Sequence, residues 1–101
     1  MAVTCSGDDT VLTLEISGEV DHHHAKDIMK DVVRYMEQRP PRQLILDLKG
    51  VTFMDSSGIA LLLRTHRQAV QLGGSFAVKN TPPQAEKVLK AAGIDKLVRF
   101  V

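Results

Sequence analysis

Apolar and polar residues alternate from Thr10 to Ser17 (TVLTLEIS): Val11, Leu12, Leu14 and Ile16 are apolar, with Thr13 and Glu15 between them. A period of two is that of a half-buried strand, and Gly18 marks its end. The period then changes. Ala25, Ile28, Met29, Val32, Val33 and Met36 recur at spacings of three and four, which predicts one helical face from His22 to about Gln38. Asp21 is placed to cap that helix, and Pro40-Pro41 cannot continue it. Gln43 to Leu48 (QLILDL) is rich enough in Leu and Ile to be buried on both faces, which favours a central place in a parallel or mixed sheet.

A second helix is expected from about Ser57 to Leu72. Its inward stripe reads as Ile59, Leu62, Leu63, His66 and Val70, with Arg64, Arg67, Gln68 and Gln71 outward. His66 reads as a partly buried packing residue. Gly73-Gly74 ends the helix, and Ser75 to Lys79 (SFAVK) is a short strand. Thr81-Pro82-Pro83-Gln84 predicts a third helix start, with Thr81 as N-cap and Gln84 completing a capping box. That helix would bury Ala85, Val88, Leu89 and Ala92 and stop at Gly93, before a last strand from Lys96 to Val101. Strand followed by helix, three times over, implies an α/β fold: one domain over residues 1–101, with helices packed on a mixed β-sheet. In such sheets function gathers where strands end and helices begin. Both Glu19-Val20-Asp21-His22 and Asp55-Ser56-Ser57-Gly58 fall at that edge.

Composition narrows the partners. The 101 residues carry a formal net charge of +1, with 44% hydrophobic and 25% charged residues. That balance gives no field to draw nucleic acid, a membrane or an acidic polymer, so the expected partner is another protein. Cys5, the single cysteine, cannot form an internal disulfide, which suits a reducing cytosol. No apolar run reaches the roughly 20 residues that span a bilayer, and the first residues lack a signal-peptide pattern. The expected location is the cytoplasm.

Ser56 stands directly before an amphipathic helix, between Asp55 and Ser57, with Gly58 two positions on. A helix start offers unpaired N–H groups and a positive dipole end, worth ~0.3–1 kcal/mol to an anion placed there. A phosphate at Ser56, adding about −1.5 to −2 charges, would therefore be tolerated by the fold. A protein packed flat on the loop would have to bury that charge, and losing about 2.8 kcal/mol weakens binding roughly a hundredfold. On the local pattern alone plain capping by Ser56 and Ser57, the commonest use of serine at a helix start, is the favoured reading. His22-His23-His24 invites a metal reading, but consecutive helical residues point about 100° apart and no second ligand cluster has metal-site spacing. Neither metal nor cofactor is expected. Catalysis is not expected either: Met54 stands where a serine-hydrolase elbow would place glycine, and no glycine-rich phosphate loop opens a helix.

VTFMDSSGIALLL, preceded by QLILDL and by GEVDHHHA, resembles the STAS domain family, specifically its stand-alone anti-sigma factor antagonists. The likeness runs over nearly the whole chain. It implies that Ser56, following the motif's aspartate Asp55, is phosphorylated by a serine kinase that is also the anti-sigma factor. Geometry alone leaves Ser56 and Ser57 equivalent. Asp21 matches the family's kinase-facing aspartate and Ser57 a capping or partner-contacting position, so Asp21, His22, Asp55, Ser56, Ser57 and Gly58 are the expected partner-binding residues. The implied cycle is partner switching: the unphosphorylated form binds the kinase and frees a sigma factor, phosphorylation ends this, and a PP2C-type phosphatase restores it. Alternatives are a non-switching STAS scaffold, a nucleotide- or lipid-binding regulatory domain using the Asp21–Ser57 groove, and a small serine hydrolase. Many family members carry a further helix after the last strand; stopping at Val101 would leave one sheet face less covered.

Overall fold

A computed structural model describes residues 3–8 and 10–101. Its elements follow in the order β1 (Val3–Gly7), β2 (Val11–Val20), α1 (Ala25–Gln38), β3 (Gln43–Met54), α2 (Ser56–Gln71), β4 (Ser75–Lys79), α3 (Pro83–Ala91), a short 3-10 turn (Ile94–Lys96) and β5 (Arg99–Phe100). The five strands lie side by side in chain order. β1 runs antiparallel to β2, and every later neighbour is parallel. The sheet is mixed, as the pattern predicts, and β3 is its central strand.

Right-handed crossovers between strands laid down in sequence order put every helix on the same face. On that face Leu12, Leu44 and Phe76 stand in register, as do Leu14, Leu46 and Val78. Against them pack Ile28, Met29, Val32 and Met36 of α1, Leu61, Leu62 and Ala69 of α2, and Ala85 and Leu89 of α3, in one continuous core. The opposite face carries Thr13, Glu15, Ile45, Asp47, Ala77 and Lys79, and among the described residues no helix covers it. Asp47 is buried there nonetheless. Its carboxylate accepts from the Lys49 amide at 3.0 Å and from Asn80 Nδ2 at 3.2 Å.

Several expectations need correction. β1 is an edge strand that the alternation of Val3 and Cys5 was too short to announce. A tight turn holds it: Asp8 Oδ1 accepts from the Thr10 and Val11 amides, each at 2.8 Å. Gly7 enters that turn at φ +119°, and a side chain there would run into the Val11 carbonyl. β3 continues past Leu48 to Met54, because Gly50 lets the neighbouring Ser17 approach to where a Cβ would be only 2.9 Å away. At the other end, the expected strand from Lys96 to Val101 shrinks to Arg99–Phe100, since Ile94–Lys96 turns instead.

The helices also differ from their predicted faces. In α2 the buried side is Gly58, Leu61, Leu62, Thr65 and Ala69, while Leu63 and Val70 are 37% and 56% exposed. The stripe is turned by about one residue, roughly 100°. Thr65 explains the misreading: it is fully buried, and its hydroxyl donates to the Leu61 carbonyl at 2.7 Å, so a polar residue sits in the core without cost to hydrogen bonding. His66 is half-buried, its ring 6.4 Å from that of Phe76, as a packing residue should be. In α3 the capping residue is Pro82 and not Thr81, and Ala92 is exposed.

Candidate functional site

The two polar segments singled out from the sequence meet at one rim. β2 and β3 end together, with Val20 and Met54 in register and both fully buried. The Asp55 amide donates to the Val20 carbonyl at 3.1 Å, which joins the two chain exits. After Val20 the chain makes a turn at residues 22–24 before α1 begins at Ala25. Asp21 therefore caps that turn and not the helix itself, whose capping position is His24. Its Oδ1 accepts from the amides of His23 and His24, both at 3.0 Å, and meets His24 Nδ1 at 2.7 Å. Partial burial alone would raise the Asp21 carboxyl. The His24 ring and the amides of His24 and His23 outweigh it and hold the carboxyl below its ordinary 3.8.

Asp55 is the tie between the loops. It caps α2 with extended backbone (φ −108°, ψ −166°), and its Oδ1 accepts from the Ser57 amide at 2.7 Å. Its second oxygen, Oδ2, accepts from the His22 amide at 3.3 Å. One carboxylate thus holds both the start of α2 and the entrance to α1. The expectation that a serine caps α2 gives way: the cap is Asp55, and Ser56 is the first helical residue. Ser56 is exposed, and among the described residues its hydroxyl has no hydrogen-bond partner. Ser57 is half-buried and lines a cavity of about 530 Å³ between α1 and α2. Gly58 is buried against Met54, and a Cβ there would lie 2.4 Å from both Met54 Cγ and Sδ.

Two residues of this rim were not anticipated. Gln84, read as half of a capping box, reaches back from α3 to the end of β3. Its Oε1 accepts from the Met54 amide and its Nε2 donates to the Met54 carbonyl, both at 2.8 Å. β4 pairs with β3 only as far as Asp47, so the Gln84 amide does at Met54 what a neighbouring strand would do. No local sequence signal marks a contact between residues thirty positions apart. Phe53, next to Met54, is 42% exposed; only the true length of β3 puts this aromatic on the rim. Among the described residues no group of three or more His, Cys, Asp or Glu could hold a metal ion, and no helix is long and apolar enough to cross a membrane.

The STAS domain family model matches residues 2–101. This chain belongs to the STAS domain family. An anti-sigma F factor antagonist of Paenibacillus polymyxa is 32% identical over 88 residues, which span 87% of this STAS domain and 75% of the relative. A STAS-domain containing protein of Pseudomonas aeruginosa is 28% identical and aligned over 99% of each chain. The Bacillus antagonist SpoIIAA has been solved in two states. Its unphosphorylated form superposes with a TM-score of 0.81 at 24% identity, over 99% of this STAS domain and 88% of that chain. The phosphorylated form gives 0.72 at 24% identity, over 99% and 91%. At that identity the two structures speak for the fold alone. The mixed five-stranded sheet with three helices is the STAS fold, as the sequence motifs implied.

Proposed function

We propose that this STAS domain is an anti-sigma factor antagonist whose partner is an anti-sigma factor serine kinase. It binds that kinase while Ser56 carries a free hydroxyl, so that a sigma factor is released, and lets go once Ser56 is phosphorylated. A PP2C-type phosphatase returns it to the binding form, and the whole cycle runs in the cytoplasm. The domain is a substrate in this scheme and not an enzyme. The observation that carries the reading is the exposed, unengaged Ser56 hydroxyl at the first position of α2, beside a half-buried Ser57. Of the two serines, a kinase reaches Ser56 with less rearrangement. The names of the relatives point the same way.

The chemistry of release follows from Asp55. Its carboxylate already occupies the tip of α2 through the Ser57 amide. A phosphate on Ser56 adds about −1.5 to −2 charges beside that carboxylate. The helix end then serves two anions instead of one, and the dipole's ~0.3–1 kcal/mol cannot satisfy both fully. A partner seated on Asp21, His22, Asp55, Ser56, Ser57 and Gly58 would have to cover this charge or leave. It leaves.

The decisive experiment incubates the purified chain with the anti-sigma factor serine kinases of its own genome and ATP, followed by intact-mass measurement and binding titration. One added phosphate on the wild type, none on Ser56→Ala, persistent kinase binding by Ser56→Ala and weak binding by Ser56→Asp are the expected results. Kinase binding without any mass gain would overturn the switch in favour of a non-switching scaffold. Equal binding by both variants would remove Ser56 from the contact.

A further inference from the structure

The 530 Å³ cavity beside Ser57 continues into a second, of about 350 Å³, because Lys26, Met29 and Arg64 line both. Together they form one groove between α1 and α2. It opens at His22 and Ser57 and ends at Val33 and Glu37. From Lys26 to Glu37 it follows α1 for about 16 Å, at ~1.5 Å per residue, the length of three helical turns. Half-buried Ala25 and Val33 and exposed Ala60 form a shallow apolar floor, with the nearly buried Met29 and Leu61 beneath it.

The rim is cationic. Lys26, Lys30 and Arg64 are exposed, and among the described residues none of them is paired with a carboxylate. Lys26, Lys30 and Arg34 follow one another at four-residue spacing, where like charges weaken a helix instead of supporting it. Arg34 is partly neutralised by Asp31 at 3.2 Å, and Asp27 and Glu37 sit near the two ends of the groove. The unpaired positive charge is therefore concentrated midway, where Lys26 and Lys30 face Arg64 across the floor.

We infer that this groove receives an acidic amphipathic helix of the partner protein. Apolar side chains of that helix rest on Ala25, Val33 and Ala60, and its carboxylates meet Lys26, Lys30 and Arg64. Helix-in-groove binding uses this combination of an apolar floor and anchors at three- and four-residue spacing. The inference rests on the partner reading above and deepens it. The contact starts at the Ser56 tip and runs down the α1–α2 cleft, so phosphate at Ser56 acts on one end of a longer footprint.

The test has two arms. In the first, a synthetic three-turn peptide with Leu on one face and Glu on the other is titrated into isotope-labelled protein and followed by NMR. Amide shifts should concentrate in residues 26–37 and 57–64. The double variant Lys30→Glu, Arg64→Glu should weaken the peptide about tenfold or more, and a peptide with Lys in place of Glu should not bind. Shifts scattered elsewhere, or equal binding of both peptides, overturn the inference. So does movement of the groove signals with protein concentration before peptide is added, which would make a second copy the occupant. In the second arm, the kinase that phosphorylates Ser56 should bind the double variant about tenfold more weakly, while at saturating kinase the variant still gains its full phosphate. Unchanged kinase affinity overturns the inference. If the wild type gains no phosphate, the partner reading fails and the peptide arm alone decides the groove. Both substituted side chains are exposed, and matching melting curves verify that the fold is intact.

Discussion

Replacing Gln84 with alanine tests whether the rim is held from α3. The substitution removes two 2.8 Å hydrogen bonds to the Met54 backbone and nothing from the core, since Gln84 itself is exposed. A hydrogen bond of this kind contributes about 0.5–1.5 kcal/mol net. Water can reach part of the vacated position, so the pair is worth about 1–2 kcal/mol and not the full sum. For a domain of this size that lowers the melting temperature by roughly 4–16 °C, at ~4–8 °C per kcal/mol. Circular dichroism melts give the stability, and amide hydrogen exchange at Met54 and Asp55 gives the location. Exchange should accelerate at these two amides more than elsewhere in β3. Gln84→Glu adds a check of sign. Ionised, the new carboxylate still accepts from the Met54 amide but sets a second oxygen against the Met54 carbonyl; protonated, it can donate again. The folded-state pKa of that glutamate is therefore raised above an unfolded value of about 4.3, and stability it restores below that value is lost as pH rises through the folded pKa. A melting shift under about 2 °C for Gln84→Ala, with unchanged exchange at Met54, would refute the clamp.

Other outcomes follow from the same geometry. Asp21 has its folded pKa depressed below the ordinary 3.8, so its contribution is present above that value and lost as pH falls through the depressed one; acid titration of stability should show Asp21→Asn with a flatter limb below about pH 4 than the wild type. Gly58→Ala places a Cβ 2.4 Å from Met54 Cγ and Sδ in a buried site, and overpacking of that kind costs about 1–3 kcal/mol, visible as a lower urea midpoint with an unchanged slope. Asp55→Ala removes the cap and the tie to His22 together, and should cost about 1–2 kcal/mol in urea unfolding while loosening amide protection at residues 22–25.

Much of this architecture was legible because the chain is locally consistent. Leu12, Leu14 and Ile16 alternate and Ile28, Met29, Val32 and Met36 recur at helical spacing, so the β2–α1–β3 unit is written in its periodicities. The rim was legible for the same reason: both strand ends carry an aspartate and polar neighbours where the chain changes period. What escaped was set by partners far away in the sequence. The α2 face turned because Thr65 hides a hydroxyl on its own helix and because Gly58 and Ala69 are small and allow close packing, while the larger Leu63 and Val70 drew the stripe to the other side. Gln84 was assigned to its own helix start, yet it serves the end of β3. β1 depends on the Asp8 turn and on pairing to β2, and Val3 and Cys5 alone hold too little pattern to predict it.

Because spatial order in the sheet repeats chain order, each new strand docks on the one that came just before it. Assembly can then proceed from the amino-terminal hairpin outward without any segment threading between two already paired. The last unit added is also the smallest, since Arg99 and Phe100 are the whole of β5. Fraying should begin there, at the border farthest along the sheet from β1, while the central strand that leads into Asp55 and Ser56 stays paired with β2 as far as Met54 and with β4 as far as Asp47.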